Sequence, residues 1–263
     1  IELAAARLNI FGLNDLSQRL DERFSLLRSR GRDGQALKGA LDWSWELLEP
    51  WAKAALSQAS LFRGGFTLAA AEGVIQVSND AKLPGMFDIL GELVDNSLLR
   101  GDQGKQGVVR YRLLESIRAY ASERLGTIDQ QALQLRGPEP QQQAQARHAT
   151  FFSQMGTAES IKALDGFDSG KRWDTLFGDL DNLVVGTKYG TSQTAPRCCL
   201  AALKVLTMKG PMSLGVELTT EVLTMTGLQT RIQMLLEIER SRFLRISGRL
   251  AEARNRGYKL QKV

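Results

Sequence analysis

The sequence predicts a mainly α-helical protein, in which a small helical segment is followed by a winged helix with one β-hairpin and then by TPR-like α-α repeats. Three observations predict this class. Apolar residues recur at helical spacing along most of the chain. Two short arms around a glycine-rich turn give the one convincing β signal. Small and apolar residues recur at a fixed offset near the C-terminus, as in stacked helical hairpins.

Side chains that cap helices place the elements of the first half. Asn14 or Asp15 can cap a helix near the start of the chain. Further helices are predicted over 35–49, 51–61 and 68–75. Pro50 suits the first turn of the helix over 51–61, where its missing N–H costs nothing. Thr67 is the predicted cap of the helix over 68–75.

The β-hairpin is predicted from two arms and the turn between them. The arms are residues 97–100 and 108–113, and the second alternates apolar with basic side chains. Residues 101–107 contain three glycines and an aspartate, which suits a flexible turn. A helix is predicted directly afterwards, over 115–125. Helices, a hairpin and a closing helix in this order are typical of a winged helix.

The second half is predicted to consist of helical hairpins. Residues 126–146 contain glycine, prolines and a glutamine run, and indicate a linker or the start of a solvated helix. Helices are then predicted over 148–160, 171–189, 196–209, 212–225 and 231–246, and from 250 to the end.

A weak internal match supports stacked repeats. Gly248 lies 38 positions after Gly210. At the same offset Leu250 corresponds to Met212, Ala253 to Gly215 and Leu260 to Val222. The offset is somewhat longer than the tetratricopeptide period of about 34 residues.

The composition is that of an ordinary globular protein. The 263 residues, 43% of them hydrophobic, can form one or two domains with a substantial core. No run approaches the roughly 18 apolar residues that cross a bilayer, so we expect no membrane partner. The net charge of +5 is the difference between 34 basic and 29 acidic residues. This small excess is compatible with binding to nucleic acid but does not argue for it.

Two features bear on the cellular setting. The segment 1–8 is apolar but short and lacks a basic leader, so it does not predict a signal peptide. Because the chain opens with Ile1 inside a predicted helix, we expect it to be a fragment of a longer protein. Cys198 and Cys199 are adjacent, and neighbouring cysteines rarely form a disulfide. We therefore expect a reduced, cytoplasmic location.

The residue types that catalysis or metal binding would need are scarce. The sequence has no G-x-x-x-x-G-K-[ST] phosphate loop and no G-x-G-x-x-G after a strand. One histidine and two adjacent cysteines cannot supply a zinc site of the usual spacing. The single histidine, His148, leaves little room for a nucleophilic triad and is expected to be an ordinary helix residue. The sequence therefore predicts no catalytic residues, no metal and no enzyme activity.

Three tryptophans lie close together in sequence. Trp43 and Trp51 are near the spacing of one helical face, with Trp45 between them. We expect these rings to pack in the core and not to form a binding site.

Four collinear motifs carry a family resemblance. They are the segments I-E-L-A-A-A-R-L at 1–8, L-D-W-S-W-E-L-L at 41–48, L-F-R-G-G-F-T at 61–67, and L-V-D-N-S-L-L at 93–99 leading into R-Y-R-L-L-E-S-I-R-A-Y-A at 110–121. In this order they resemble the bacterial STAND regulators of the NB-ARC type, which include AfsR-like and LuxR-like transcriptional regulators. The resemblance covers roughly residues 1–125.

The resemblance implies a domain organisation and a cofactor. Residues 1–35 would end the helical domain of a nucleotide-binding module, 36–125 would form the winged helix, 126–146 a linker, and 147–263 truncated TPR-like repeats. The P-loop ATPase domain would lie upstream and be absent, so ATP or ADP is expected for the intact parent and no cofactor for this fragment.

One functional motif of the family can be carried over by position. Its Met-His-Asp motif, whose histidine touches the β-phosphate of ADP, falls on Leu113, Leu114 and Glu115. Leu114 cannot donate a hydrogen bond, whereas Glu115 keeps the acidic character or caps the helix N-terminus. Leu114 and Glu115 are the candidate nucleotide-sensor positions, and direct sensing through them is put in doubt by the leucine.

Three functions remain open from the sequence. The first is a switch in which the winged helix couples the upstream ATPase domain to repeats that bind an unknown protein. The second is a DNA-binding winged helix. It is disfavoured because the helix before the wing carries Asp88, Glu92 and Asp95 and no basic residue. The third is a protein-binding repeat scaffold, in which the basic segment 231–263 is a solvated face or contacts an acidic partner.

Overall fold

The computed structural model describes residues 33–77, 83–104, 107–125, 139–167 and 169–253. The chain divides into two compact units. One, the winged-helix unit, comprises Ile1–Leu61 and Gly65–Gln141, and the other, the helical unit, comprises Phe62–Gly64 and Gln142–Val263. The predicted helix after Asn14 or Asp15 lies outside the described residues, as do most of the predicted linker and the last ten residues.

The described part of the winged-helix unit contains five helices and one hairpin. They are α1 (Asp33–Glu46), α2 (Pro50–Ala59), α3 (Leu68–Val74), α4 (Met86–Asp95), β1 (Arg100–Gln103), β2 (Val109–Arg112) and α5 (Glu115–Leu125). Pro50 occupies the first turn of α2, as predicted. The Thr67 hydroxyl accepts a hydrogen bond from the Ala70 N–H at 3.3 Å and caps α3, also as predicted.

The core of this unit forms around α2. Every residue from Ala54 to Ala59 is buried, and three of the six are alanines. Small side chains let neighbouring helices approach α2 closely, and both α4 and α5 pack against it. Leu90 and Leu93 of α4 are fully buried.

The hairpin pairs β1 with β2 in antiparallel register, with Gly101 opposite Tyr111. Phe66 extends this sheet by a bridge to Tyr111, in which the two residues exchange backbone hydrogen bonds of 2.9 and 2.7 Å. A mainly helical chain with this small antiparallel sheet confirms the predicted fold class of a winged helix followed by helical repeats.

The first predicted arm of the hairpin was placed too early. Residues 97–99 precede the strand, because Ser97 adopts a left-handed backbone (φ 56°) and both Leu98 and Leu99 are buried. Residues 101–103, predicted as turn, instead belong to β1. All four residues of β1 are exposed, so the strand has no alternating pattern that could have marked it.

The helical unit contains seven helices within the described residues. They are α6 (Glu139–Ser153), which enters this unit at residue 142, α7 (Ala158–Lys162), α8 (Ser169–Gly178), α9 (Leu180–Tyr189), α10 (Ala195–Lys209), α11 (Met212–Leu223) and α12 (Thr230–Ile246). Short 3₁₀ turns at Gln154–Gly156 and Ala163–Asp165 flank α7.

The single helix predicted over 171–189 is broken into α8 and α9. Asp179 lies at the break with φ −107° and ψ 10°, outside helical geometry. Its buried carboxylate accepts a hydrogen bond from the Asn182 amide at 3.2 Å, one turn into α9. Asp181 is exposed, so the two carboxylates point to different faces.

Glycines allow close contacts between the helices of this unit. A Cβ on Gly186 of α9 would lie 2.7 Å from the Cys198 Sγ of α10, and one on Gly215 of α11 would collide with the Phe243 ring of α12. Gly210 and Gly248, the pair matched in the sequence, both adopt positive φ just after a helix, at 66° and 76°. Gly210 directly follows α10, whereas Gly248 is the second residue after α12, so the matched glycines hold similar but not identical positions.

Candidate interaction surface of the winged helix

The helix before the wing, α4, presents an acidic and aromatic outer face. Ile89, Leu90 and Leu93 point into the core and fix the orientation of the helix. Asp88 and Asp95 are exposed on the other side. Phe87 is 66% exposed, a large apolar ring in contact with solvent.

The charge of this face opposes a nucleic-acid backbone. The ten residues of α4 contain Asp88, Glu92 and Asp95 and neither lysine nor arginine. A helix that enters the major groove relies on cations to neutralise phosphates, and this electrostatic contribution dominates non-specific affinity. Asp88 in the first turn instead favours the helix itself, because a carboxylate there complements the helix dipole.

The wing arginines make contacts within their own unit. The Arg112 Nε lies 3.6 Å from an Asp102 carboxylate oxygen on the opposite strand. Arg110 donates a hydrogen bond of 3.0 Å to the Gly65 carbonyl. Arg100 is exposed opposite Arg112 in the register, and Lys105 lies outside the described residues. Arg110 and Arg112 are thus both engaged by residues of the winged-helix unit.

The connection between α3 and α4 is held by a glutamine that the sequence analysis missed. Gln58, buried on α2, donates to the Gln76 carbonyl at 2.7 Å and accepts from the Gln76 N–H at 2.9 Å. This pair of hydrogen bonds imitates a strand pairing and fixes the chain just after α3. A buried polar residue in an alanine-rich helix was the signal that could have pointed to it.

The two candidate nucleotide-sensor residues lie at the start of α5. The Leu114 side chain is 42% exposed, and its carbonyl accepts the Arg118 N–H at 2.9 Å to begin the helix. Glu115 is the first residue of α5 and forms an ion pair with Arg118. Both residues are accessible, and the carboxylate has a cation of its own helix as partner.

A second polar cluster, which the sequence analysis did not identify, joins α1 to α5. Tyr120 donates to an Asp42 carboxylate oxygen at 2.7 Å, and Arg124 donates to the same oxygen at 2.7 Å. The Arg124 guanidinium also lies over the Tyr120 ring and, at 5.6 Å, over the Trp45 ring. Burial, followed by the hydrogen bond to Asp42, raises the pKa of Tyr120 well above its usual range. Trp45 packs against Tyr120 and Arg124 but is only half-buried, as are Trp43 and Trp51, whereas the sequence predicted that these rings lie in the core.

Three titratable side chains of the helical unit, His148, Cys198 and Cys199, are buried. His148 lies between the rings of Phe152 and Phe62, with centroids 4.6 and 5.4 Å away. Burial lowers the pKa of His148 to about 4, so it is neutral at pH 7. Burial raises the pKa of Cys198 to about 12 and that of Cys199 further.

The described ranges contain neither a metal-binding cluster nor a membrane-spanning helix. No group of three or more histidine, cysteine, aspartate or glutamate side chains there is arranged to hold a metal ion. None of the helices described is long and apolar enough to cross a membrane.

Comparison with known proteins identifies the first unit. Residues 48–126 match the family of winged helix-turn-helix domains. Over 130 residues the chain is 38% identical to proteins of Mycobacterium tuberculosis (Rv0890c) and Mycobacterium bovis (Mb0914c), both named provisionally as HTH-type transcriptional regulators. The match covers 48% of this chain and 14% of each relative.

A shorter relative gives a similar match. The uncharacterized protein Rv0894 of M. tuberculosis is 36% identical over 134 residues, covering 48% of this chain and 33% of that protein. No solved structure matches the chain. The chain thus contains a winged helix-turn-helix domain and spans only a small part of the length of these relatives.

Proposed function

We propose that this chain is a non-catalytic regulatory and protein-interaction region of a STAND-type signalling or transcriptional regulator. In this proposal the winged helix couples the nucleotide state of an upstream ATPase domain to the helical repeats, which bind a protein. The whole regulator binds ATP or ADP and acts in the cytoplasm.

The acidic face of α4 is the observation that carries this proposal. A helix whose solvent side carries Phe87, Asp88 and Asp95 is suited to a protein surface with apolar and basic side chains. Aromatic residues are enriched where proteins bind one another, and charge of one sign selects a partner of the other. The same face repels the DNA backbone.

The contacts at the start of α5 support a winged helix that does not bind nucleotide by itself. Leu114 has no hydrogen-bond donor in its side chain, and Glu115 is paired with Arg118. A phosphate near Glu115 would meet a carboxylate. We infer that ATP and ADP are held by the upstream domain, with the winged helix as a partner in that assembly.

Direct DNA binding is the second candidate function. The relatives are named as HTH-type regulators, and Arg100, Arg110 and Arg112 place positive charge on the wing. For this function the wing would have to outweigh the three carboxylates of α4, although Arg110 and Arg112 already contact Gly65 and Asp102.

A charge-reversal experiment separates the two candidates. Binding of a fluorescein-labelled duplex DNA of mixed sequence is followed by anisotropy at physiological salt. The unmodified chain is expected to give no binding at micromolar concentration. The triple variant Asp88→Lys, Glu92→Lys and Asp95→Lys is expected to gain salt-sensitive binding of at least about tenfold, because lysines on α4 would face phosphates.

The matched control moves the same charge elsewhere. Glu49, Glu72 and Glu217 are exposed outside α4, and their replacement by lysine changes the net charge equally. If the control gains as much affinity as the α4 variant, α4 is not the determining surface. Tight binding of DNA by the unmodified chain at physiological salt would favour the second candidate and overturn the first. Micromolar binding of ADP by this chain, measured by calorimetry, would contradict the assignment of nucleotide to the upstream domain.

A further inference from the structure

A groove runs across one side of the helical unit between α7, α10 and α12. It has a volume of about 640 Å³. The Gly156 Cα lies against the Arg197 carbonyl so closely that no Cβ fits there, and this contact packs the turn before α7 onto α10. Residues of α10 and α12 complete the lining on the other side.

The groove has an apolar lining. Leu200 and Leu203 of α10 and Ile232 and Leu235 of α12 contribute to it. Leu235 is 39% exposed, although it lies in a region where Leu236, Phe243 and Leu244 are buried in the core. Leu203 is buried, whereas Leu200, Ile232 and Leu235 keep accessible surface, and such apolar residues in a concave surface favour an apolar ligand side chain.

The charged side chains of the groove are predominantly basic. Five basic and three acidic residues line it. Arg242 is 3.7 Å from Glu239, which accounts for one pair. The other four basic residues have no ion-pair partner within the described parts of the chain, and they are Lys162, Arg197, Lys204 and Arg231. The remaining acids, Glu159 and Asp165, leave this side of the unit with an excess of positive charge.

The groove is elongated along the helices. On α10 it is lined from Arg197 to Thr207, and on α12 from Arg231 to Arg242. At a rise of about 1.5 Å per residue each stretch is ~15 Å long. That length accommodates about three helical turns or four to five residues of extended peptide.

We propose that this groove binds an acidic peptide segment of another protein. Its carboxylates would pair with Lys162, Arg197, Lys204 and Arg231, and its apolar side chains would lie on the leucines and isoleucine between them. Charge-assisted hydrogen bonds to lysine and arginine give such a site its selectivity, and the buried apolar side chains give it affinity. This inference deepens the proposed protein-binding role of the repeats, and it does not depend on how the winged helix acts.

The experiment uses the full chain and a defined probe. The probe is a fluorescein-labelled peptide of about twelve residues, long enough to span the groove, that contains glutamates and leucines in equal number. Fluorescence anisotropy is expected to give micromolar affinity that weakens as salt rises, because exposed ion pairs are screened. The same peptide with glutamine for each glutamate is expected to bind at least about tenfold more weakly, and with lysine not detectably.

Two double variants of the chain test the location. Lys204→Glu with Arg231→Glu reverses charge in the groove and is expected to reduce peptide affinity at least about tenfold. Arg172→Glu with Lys188→Glu makes the same charge change at exposed positions of α8 and α9 outside the groove lining, and is expected to leave affinity within about twofold. Circular dichroism checks that both variants are folded.

The other outcomes would overturn the proposal. No binding of the glutamate peptide, or equal loss in both double variants, shows that the groove is not an acidic-peptide site. If sedimentation shows that the unmodified chain is a dimer and the groove variant a monomer, the groove is assigned to a second copy of the chain. Single-stranded RNA that displaces the peptide with higher affinity assigns it to nucleic acid. All of these results concern the helical unit, and the charge reversal on α4 tests the winged helix separately.

Discussion

The Tyr120 hydroxyl donates a hydrogen bond of 2.7 Å to the Asp42 carboxylate, and this contact ties α5 to α1 across 78 residues of sequence. Arg124 donates to the same carboxylate oxygen and to the Tyr120 oxygen. Asp42 and Arg124 are each about one-third exposed, whereas Tyr120 is buried. If the hydrogen bond of the buried Tyr120 hydroxyl is lost, water is therefore less able to substitute for it than for the contacts of Asp42 and Arg124.

Loss of that hydroxyl is expected to destabilise the winged-helix unit. Tyr120→Phe keeps the ring against Trp45 and Arg124 but leaves Asp42 with one donor fewer, at a cost of ~1 kcal/mol. Urea unfolding followed by fluorescence suits this unit, because Trp43, Trp45 and Trp51 all lie in it. Tyr111→Phe is the control, because that ring is also buried but its hydroxyl makes no hydrogen bond to the described residues. Equal destabilisation by both variants would show that the hydrogen bond contributes nothing specific.

A methyl group at Gly215 is expected to destabilise the helical unit. The added Cβ of Gly215→Ala would collide with the ring of Phe243, which is fully buried and cannot move aside freely. Overpacking of this kind costs about 1–3 kcal/mol. Gly170→Ala in α8 is the control, because nothing lies within 4 Å of its Cβ position and alanine favours a helix.

A second substitution tests the cause of that loss. Phe243→Leu in the Gly215→Ala background shortens the ring that the methyl group meets. We expect it to recover part of the stability measured by urea unfolding, even though Phe243→Leu alone removes buried apolar surface. If the two losses simply add, the contact between residues 215 and 243 is not their source.

Local chemistry made some elements predictable and left others hidden. Pro50 marked the start of α2 because proline suits the first turn of a helix. Thr67 marked the start of α3 because its hydroxyl caps the helix N-terminus. β1 was misplaced because its four residues are exposed, so burial left no alternating pattern. The break at Asp179 depends on a buried side chain, and helical periodicity continues through it.

The contacts that matter for interaction are tertiary and were less predictable. The acidic character of α4 was visible because all of its residues are consecutive. Which of them face solvent follows from the packing of Leu90 and Leu93. The basic groove is assembled from three helices that are separated in sequence. Only the part contributed by α12 was visible in the sequence, as an excess of arginine. The pairing of Asp42 with Tyr120 and Arg124 has no counterpart in the sequence pattern.

The two cysteines are expected to be unreactive in the folded chain. Cys198 and Cys199 are fully buried, and burial raises both pKa values, so neither thiol forms the thiolate that attacks a disulfide reagent at pH 8. Ellman's reagent should therefore detect no thiol in the native chain and both thiols after addition of guanidinium chloride. Rapid reaction of one thiol under native conditions would mean that α10 is accessible to solvent.

Mild acid is expected to weaken the helical unit through His148. Burial lowers the pKa of His148 to about 4 in the folded chain from 6.5 in the unfolded one. The contribution of the neutral ring to the free energy of unfolding is therefore fully present above pH 6.5. It is lost as pH falls towards 4, because the unfolded chain binds the proton first. At about pH 5 the loss is on the order of 2 kcal/mol. Unfolding in urea, followed by circular dichroism at pH 7 and pH 5, measures it. His148→Leu removes the titrating ring and fills the space beside Phe152, so it should show a smaller decrease between the two pH values. An equal decrease in both proteins would assign the acid sensitivity to other groups.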